Sequence, residues 1–335
     1  MRLKTTWLIA TAVLSILVIP VATRESWAQK TGKVYRVGTV FVGQPPPPDT
    51  PRPVFRDRSP ATRAFLDRLA DLGYVEGKNL AIDLRLGGYE RLPELAAELV
   101  RLKVDVIFTA GTEASRIIND AVKTTPLVIF SCDPFEHVTR LARPDGNLTG
   151  VTCMTTELSP KRLELLTELV PKASRVVFFS DPEDAPAGLK LTQDAARRLG
   201  IKLQPISYRG RDHLPDALRA VAKERPDALF VYPDPILFQE RKQIAEFAVS
   251  HRLPTMHAFP EFAEAGGLMS YGANTSEMFV MAAEQVAQIL GGRRPSEVPV
   301  RQATRFHLVI NLKTAKAIGL TVPRSLLLRA DRIIE

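Results

Sequence analysis

The sequence predicts an α/β protein of two doubly wound lobes, each with a parallel sheet and crossover helices. Short runs of β-branched and apolar residues alternate with amphipathic helical segments over nearly the whole chain, which is typical of parallel sheets. A segment rich in Gly, Pro and Thr, 142–160, interrupts this alternation, which then restarts. The chain of 335 residues is also longer than one small core requires. We therefore expect a cleft between two lobes.

The first residues predict an export signal. Two basic residues open the chain, and an apolar stretch over 7–22 follows. Small residues at 26 and 28 suit cleavage after about Ala28, so residues 1–28 are assigned to a signal peptide and the mature chain to the periplasm. An uncleaved membrane anchor is the alternative, but the apolar run ends at Thr23, short of the roughly 20 residues that a spanning helix needs.

The first lobe is predicted to contain four strands that alternate with helices. Phe65, Leu66, Leu69 and Leu72 lie on one helical face, and Gly73 follows where glycine commonly ends a helix. The predicted strands are 34–40, 80–86, 105–111 and 127–131, and the predicted helices are 60–73, 92–102 and 112–122.

The second lobe repeats this architecture without repeating the sequence. A long helix over 276–292 and a final segment over 298–320 complete the pattern. The predicted strands are 174–180, 201–208, 227–232 and 253–259, with helices at 189–200, 214–224 and 237–251 and a short helix before Gly266.

Consecutive prolines mark residues 44–60, directly after the first strand. They favour an extended polyproline conformation without backbone donors. We predict a surface loop on the rim of the cleft, and a recognition peptide for a partner is the alternative.

Cysteine usage and charge narrow the class of protein. Cys132 and Cys153 are few for an exported protein held together by disulfides, so two buried thiols are favoured over a bridge. The net charge is +8, and three basic residues against one acidic residue in 1–28 carry +2 of it. Basic residues elsewhere stand beside acidic ones on helices, which is typical of solvated faces and not of a nucleic-acid surface.

No catalytic or cofactor motif has the sequence context that it needs. The chain lacks a P-loop, a dinucleotide-binding glycine pattern, a nucleophile elbow and a paired-histidine metal helix. Its five histidines have no metal-ligand spacing. We therefore expect no catalytic residue, no cofactor and no metal site.

Polar residues stand instead at the carboxyl ends of the predicted strands, where open α/β sheets bind ligands. Small residues at 109–112 permit close approach, and the amides of the following helix favour an anion, although capping by Thr112 explains the same residues equally well. Glu113 would compete for that helix dipole or meet a ligand ammonium. The candidate ligand-binding residues of the first lobe are Thr39, Gln44, Thr109, Gly111, Thr112, Glu113, Ser131 and Asp133.

The second lobe has a corresponding set. Asp and Pro at such positions also build turns, and aromatic residues also pack in cores, but several of them at one sheet edge favour a binding role. Aromatic side chains there would give flat walls for a ligand with a ring or acyl body. The candidates are Asp181, Tyr232, Asp234, His257, Phe259 and Tyr271.

Several segments together carry a resemblance to a known family. They are LGYVEGKNLAIDLR, RLPELAAELVRLKVDVIFTAGT, LARPDGNLTGVT, LSPKRLELL, DALFVYPDP, FAEAGGLMSYGAN and FHLVINLKTAKAIGLTVPRSLLLRAD. In this order they resemble the substrate-binding proteins of ABC-type importers related to the tryptophan and tyrosine uptake group. The proline-rich loop and Glu113 depart from the commoner pattern, so the resemblance leaves the ligand open.

The resemblance implies a type I periplasmic-binding-protein fold with chain crossings near 150, 270 and 300. The implied lobes are 33–149 with 271–300, and 150–270 with 301–335. A membrane permease and an ATPase are the implied partners, since the chain has no ATP site of its own. A monomer without a nucleic-acid partner is expected.

The sequence thus predicts the periplasmic solute-binding component of an ABC importer. It would close by a hinge around a small organic solute such as an amino acid, an aromatic compound or a carboxylate. One alternative is an exported α/β enzyme for a small organic acid, dependent on Glu261, Asp133 or Asp234. A second is a sensory module that presents solute to a membrane receptor. A repressor is disfavoured because the export signal occupies the place of its DNA-binding helices.

Overall fold

A computed structural model describes residues 32–45, 54–132, 140–181 and 185–335. The predicted signal peptide 1–28, the prolines of the rim loop after residue 45 and the candidate Asp133 lie outside the described residues. No helix in the described part of the chain is both long and apolar enough to cross a membrane.

The described residues form strands and helices in regular alternation. The strands are β1 (Tyr35–Val42), β2 (Leu80–Gly87), β3 (Val106–Ala110), β4 (Leu127–Ser131), β5 (Leu148–Thr152), β6 (Arg175–Ser180), β7 (Lys202–Ser207), β8 (Ala228–Val231), β9 (Thr255–His257), β10 (Met269–Gly272), β11 (Arg301–Gln302), β12 (His307–Asn311) and β13 (Arg332–Ile334). The helices are α1 (Pro60–Asp71), α2 (Leu92–Arg101), α3 (Thr112–Ala121), α4 (Thr155–Leu169), α5 (Pro186–Leu199), α6 (Leu214–Glu224), α7 (Pro235–Gln239), α8 (Arg241–Ser250), α9 (Pro260–Glu264), α10 (Thr275–Leu290), α11 (Leu312–Ile318) and α12 (Arg324–Arg329).

The strands build two separate sheets, as the sequence predicts. The first has the order β11-β5-β4-β3-β1-β2, and every pair in it is parallel. The second has the order β13-β12-β10-β9-β8-β6-β7, in which only β10 and β12 run antiparallel. The central strands are buried along nearly their whole length because crossover helices cover both faces of each sheet.

The beginning of α1 shows how local sequence fixes an element beside the cleft. The Ser59 hydroxyl accepts the Thr62 amide at 3.1 Å, and the Thr62 hydroxyl accepts the Ser59 amide at 3.0 Å. Pro60 occupies the first turn, where its missing donor costs nothing. The helix buries Phe65 and Leu69, and it packs along α10. Loss of such a cap typically costs about 1 kcal/mol.

The chain passes between the two sheets three times. It leaves the first sheet after β5 and enters α4, which packs on β9 and β10. It returns after β10 into α10, which packs on β3, β4 and β5. The third passage runs from β11, which pairs with β5 in the first sheet, to β12, which pairs with β10 in the second. The lobe boundaries remain a prediction, and the strand pairing puts Leu148–Thr152 and Arg301–Gln302 in the first sheet.

Two predicted elements differ from the structure. The segment predicted as a passage, 142–160, includes the crossing after β5, but it also contains β5 itself and the first turn of α4. The glycine and threonine content of this segment does not indicate a strand, but β5 is a strand that is buried on both faces between β4 and β11. The predicted helix 237–251 is two helices, because Asp234 caps a separate short helix, α7, that ends before Glu240.

Candidate ligand-binding site

A cavity of about 250 Å³ lies between the two sheets, at the carboxyl ends of their parallel strands. The ends of β1, β3 and β4 line one side, the residues after β8 and β9 line the other, and the first turns of α1 and α10 complete the wall. Ligands of open α/β sheets bind in this position. The volume is below the roughly 300 Å³ at which sites for drug-sized ligands begin, so the cavity suits a small solute.

Much of the cavity wall is aromatic. Phe41, Phe130 and Phe279 come from the side of the first sheet, and Phe238 and Phe259 from the side of the second. The Phe130 ring lies 6.4 Å from the Phe259 ring and 5.9 Å from the Phe279 ring, both edge to face. Such walls present ring faces and edges to a flat apolar group.

Asp234 places a carboxyl group in this wall. Its Oδ1 accepts the amides of Ile236 at 2.8 Å and Leu237 at 2.9 Å, and the Tyr208 hydroxyl also donates to it. Its Oδ2 is buried and has no hydrogen-bond partner among the described residues. Burial raises the pKa of Asp234 to about 7, and the hydrogen bond from Tyr208 opposes that rise.

Glu261 places a second carboxyl group in the wall, from the first turn of α9. The Thr275 hydroxyl, at the start of α10, donates to its Oε1. Its Oε2 is buried without a partner in the part of the chain that the structure describes. Burial raises the pKa of Glu261, and the positive charge of Arg241 works in the opposite direction.

Two arginines line the same cavity. Arg58 is exposed at the rim, with its guanidinium carbon 6.0 Å from the centre of the Phe41 ring. Arg241 donates to the Phe238 carbonyl at 2.7 Å and lies 4.9 Å from the centre of the Phe238 ring. The cavity therefore offers positive charge at its rim and acceptors in its wall.

The two sides of the cavity touch at its edge. The Gln239 amide nitrogen, in α7, donates to the Val42 carbonyl at the end of β1 at 2.9 Å. A Cβ on Gly111 would lie 2.7 Å from Pro235, and Gly111 has a φ of 112°, so this position requires glycine. These contacts hold the two sides together around the cavity.

The structure brings four of the predicted ligand-binding residues to the cavity: Gly111, Thr112, Asp234 and Phe259.

The other candidates of the first lobe lie elsewhere. Thr39 and Thr109 are fully buried inside the sheet, where Thr109 donates to the Val40 carbonyl. Ser131 is buried behind the wall and donates to Thr112 at 3.4 Å. Gln44 is exposed and Glu113 pairs with Arg116, and neither residue lines the cavity.

The other candidates of the second lobe are mostly core residues. The Tyr232 hydroxyl lies 2.9 Å from that of Thr156. His257 is fully buried against Phe262, and burial lowers its pKa to about 3, which keeps it neutral. The Tyr271 carbonyl accepts a hydrogen bond from Arg162. Asp181 is buried at the end of β6, close enough for its charge to raise the pKa of Asp234.

The cysteine prediction is wrong in the structure. Cys132 and Cys153, for which two buried thiols are favoured by the sequence, form a disulfide with Cα atoms 5.1 Å apart. Their strands β4 and β5 are parallel neighbours, so residues just beyond the strand ends come together. Cys132 also lines the cavity.

Several lining residues are absent from the predicted set. The signals for them exist in the sequence: the Ser59 capping box after the proline-rich loop, and Asp234-Pro235 as the start of a separate helix. These signals identify lining residues only when the positions of both sheets are known. These residues are Arg58, Ser59, Thr62, Phe238, Gln239, Arg241, Glu261, Thr275 and Phe279.

Comparisons with known proteins agree with this fold. The family model of the ABC transporter substrate binding protein matches residues 58–334. A tyrosine-binding protein of Clostridioides difficile (strain R20291) is 23% identical over 268 residues, 78% of this chain and 76% of that protein. A conserved domain protein from Vibrio cholerae has a TM-score of 0.80 at 25% identity, over 90% of this chain and 100% of that one. The ABC domain from Streptococcus pneumonia in complex with L-Trp has a TM-score of 0.79 at 20% identity, with the same coverage.

Proposed function

Because the chain belongs to the ABC transporter substrate-binding protein family, we propose that it is the solute-binding component of an importer and that its solute is an aromatic amino acid. One observation carries the choice of solute. Phenylalanine residues line one cavity together with Asp234 and Glu261, each of which has a buried carboxyl oxygen that lacks a partner among the described residues.

A solute ammonium supplies the donors that the two carboxyl groups need. A buried acceptor without a partner costs roughly 1–3 kcal/mol, so Asp234 Oδ2 and Glu261 Oε2 favour a ligand that donates hydrogen bonds. A positive charge also favours the ionised carboxylates against the desolvation that raises their pKa values. An anionic aromatic acid has neither the positive charge nor the ammonium donors.

The rest of the solute fits the remaining wall. The phenylalanine rings receive an aromatic side chain, since rings pack favourably edge to face. Arg58 at the rim is assigned to the solute carboxylate, because a guanidinium pairs well with that group. The solute is thus proposed to bind as a zwitterion.

The cellular setting follows from the same proposal. The signal peptide is cleaved after about Ala28, and the mature chain works in the periplasm as a monomer with a membrane permease and an ATPase. Binding involves hinge closure of the lobes, and the solute is released unchanged. The three chain passages and the contact from Gln239 to Val42 across the cavity support closure.

Titration calorimetry of the mature chain with a matched solute set tests the proposal. The set contains L-tryptophan, L-tyrosine, tryptamine, which lacks the carboxylate, and indole-3-propionate, which lacks the ammonium. We expect saturable binding of an aromatic amino acid and the largest loss of affinity for indole-3-propionate. Absence of binding by every amino acid, or equal binding of indole-3-propionate, contradicts the proposal. Recovery of a chemically altered solute contradicts the binding role.

A further inference from the structure

We propose that the Cys132–Cys153 disulfide couples the hinge to the cavity wall, so that its oxidation state sets the affinity for solute. The inference rests on the proposed function, because it concerns regulation of the same cavity. Buried side chains hold the crossings between the sheets on both sides, and the disulfide joins one of these crossings to the cavity wall.

A buried arginine fixes the crossings on the side of the second sheet. Arg162 in α4 is 1% exposed. Its Nη1 donates to the Thr155 carbonyl at 2.9 Å, just after the first crossing, and its Nε donates to the Tyr271 carbonyl at 2.6 Å, just before the second. One side chain therefore ties the ends of two crossings to one rigid body.

A buried glutamine anchors the crossings on the side of the first sheet. Gln285 in α10 is fully buried, and its Nε2 donates to the carbonyls of Gly150 and Pro299, each at 2.8 Å. Gly150 precedes the first crossing, and Pro299 precedes the third. Rotation between the lobes is thereby confined to the few residues between these anchors.

In the first crossing β5 ends at Thr152 and α4 begins at Thr155, so the residues outside regular structure are Cys153 and Met154. Met154 has a left-handed backbone with a φ of 54°, which side chains other than glycine adopt rarely. Cys153 is fully buried and bonded to Cys132, which follows β4 and lines the cavity. The disulfide therefore makes Cys153 part of the first lobe and leaves Met154 as the pivot of this crossing.

Reduction extends the flexible part of the first crossing from Met154 to Cys153, and it breaks the bond between this crossing and Cys132 in the cavity wall. A dithiol reductant transfers two electrons and two protons to the disulfide, which gives thiols at Cys132 and Cys153 and a disulfide on the reductant. Cys153 then rotates independently of β4. More backbone freedom is lost on closure around solute, so the reduced form binds more weakly.

The test compares L-tryptophan affinity of the oxidised mature chain, the same chain in dithiothreitol, and the double variant C132S/C153S. The chain has only these two cysteines, so an effect of the reductant on the folded wild type reports this pair. We expect at least about a five-fold loss of affinity on reduction, the lower end of usual coupling between sites. The double variant should bind like the reduced wild type and ignore dithiothreitol.

The outcomes separate this inference from the proposed function. Equal affinity of oxidised and reduced wild type, or two titratable thiols in protein purified under oxidising conditions, overturns the inference. If no form binds any aromatic amino acid, the proposed function fails instead. In that case hydrogen exchange of the ligand-free chain decides: faster exchange at 153–155 after reduction supports the coupling, and unchanged exchange overturns it.

Discussion

At the scale of single residues, Asp234 shows how one carboxyl group can serve both the fold and a ligand. Its Oδ1 is saturated by the two amides of α7 and the Tyr208 hydroxyl, which fixes the orientation of the group. Asp234 lines the cavity, and its Oδ2 is buried without a partner among the described residues. Glu261 is arranged in the same way, with Thr275 on one oxygen. In each case the fold holds one oxygen and leaves the other for a donor.

Replacement of either carboxylate tests this arrangement. Asp234→Asn keeps an acceptor for the cap of α7 but removes the negative charge, and Glu261→Gln does the same beside Thr275. We expect each variant to bind L-tryptophan about 10- to 100-fold more weakly, because a hydrogen bond to a charged group contributes roughly 1.5–3 kcal/mol. Calorimetry measures the loss.

Glu264→Gln is the matched control for Glu261→Gln. Glu264 lies on the same short helix, but it is exposed and pairs with Arg332 at the surface. Its charge contributes to the raised pKa of Glu261, so its variant should change the affinity only slightly compared with Glu261→Gln. Wild-type affinity in both cavity variants would show that the carboxyl groups do not contact the solute.

The raised pKa of Asp234 predicts a pH dependence with a definite sign. In the unfolded chain this carboxyl titrates near its ordinary value of about 3.9, and in the ligand-free fold at about 7. The fold therefore holds the proton more tightly, and its stability falls as pH rises between these two values. Affinity for a cationic ammonium changes in the opposite direction and rises as pH approaches 7.

Thermal unfolding and calorimetry from about pH 5 to 7.5 check both slopes, within the window given by the pKa of Asp234. Asp234→Asn should remove the pH dependence that this residue contributes to the stability and to the affinity. A wild-type affinity that is constant over the same range would mean that the solute does not bind beside an ionising carboxyl group.

At the scale of elements, α4 carries the contact that organises the crossings. Arg162 remains charged at neutral pH although burial lowers its pKa to about 10, and two backbone carbonyls compensate its charge. Helix α4 must therefore keep its position relative to β10, and the chain continues from β10 into α10.

Arg162→Met tests this role. The variant fills a similar volume but removes the Arg162 donor from the carbonyls of Tyr271 and Thr155, of which the Thr155 carbonyl keeps the Ser159 hydroxyl as a donor. We therefore expect a loss of about 1–3 kcal/mol in the free energy of unfolding. Chemical denaturation measures it. The neighbouring variant Lys161→Met removes an exposed ion pair with Glu164 and should change stability by less than about 1 kcal/mol. Equal stability of the two variants would refute the role of Arg162.

Elements could be predicted wherever one periodicity dominates. The alternation of apolar runs and amphipathic segments predicts strands such as Leu127–Ser131 and helices such as Leu214–Glu224 with the bounds that the structure has. It does not predict β5, because LTGVT has a glycine and two threonines and its burial depends on neighbours far along the chain. It also fails to divide α7 from α8, although Asp234-Pro235 is a signal for the start of a separate helix.

At the scale of the whole molecule, the sequence predicts where the cleft lies but only part of its lining. The rule for strand ends finds Gly111, Thr112 and Asp234, because their position depends on one sheet at a time. Arg58 and Phe238 reach the cavity only when both sheets are placed face to face. Residues such as His257 and Tyr232 follow strands as well, but their side chains turn into the core.

The chain itself provides a direct probe of the central claim, that the cavity between the lobes binds an aromatic amino acid. Its two tryptophans, Trp7 and Trp27, both fall within the predicted signal peptide, so the mature chain contributes no tryptophan emission. The emission of L-tryptophan therefore reports only its own environment.

The decisive measurement is the fluorescence anisotropy of L-tryptophan titrated with the mature chain. We expect a saturable rise in anisotropy with an emission shift to shorter wavelength, because the indole enters an apolar cavity, and we expect excess L-tyrosine to reverse both changes. Anisotropy that stays at the value of the free amino acid, with folded protein in large excess, would contradict it.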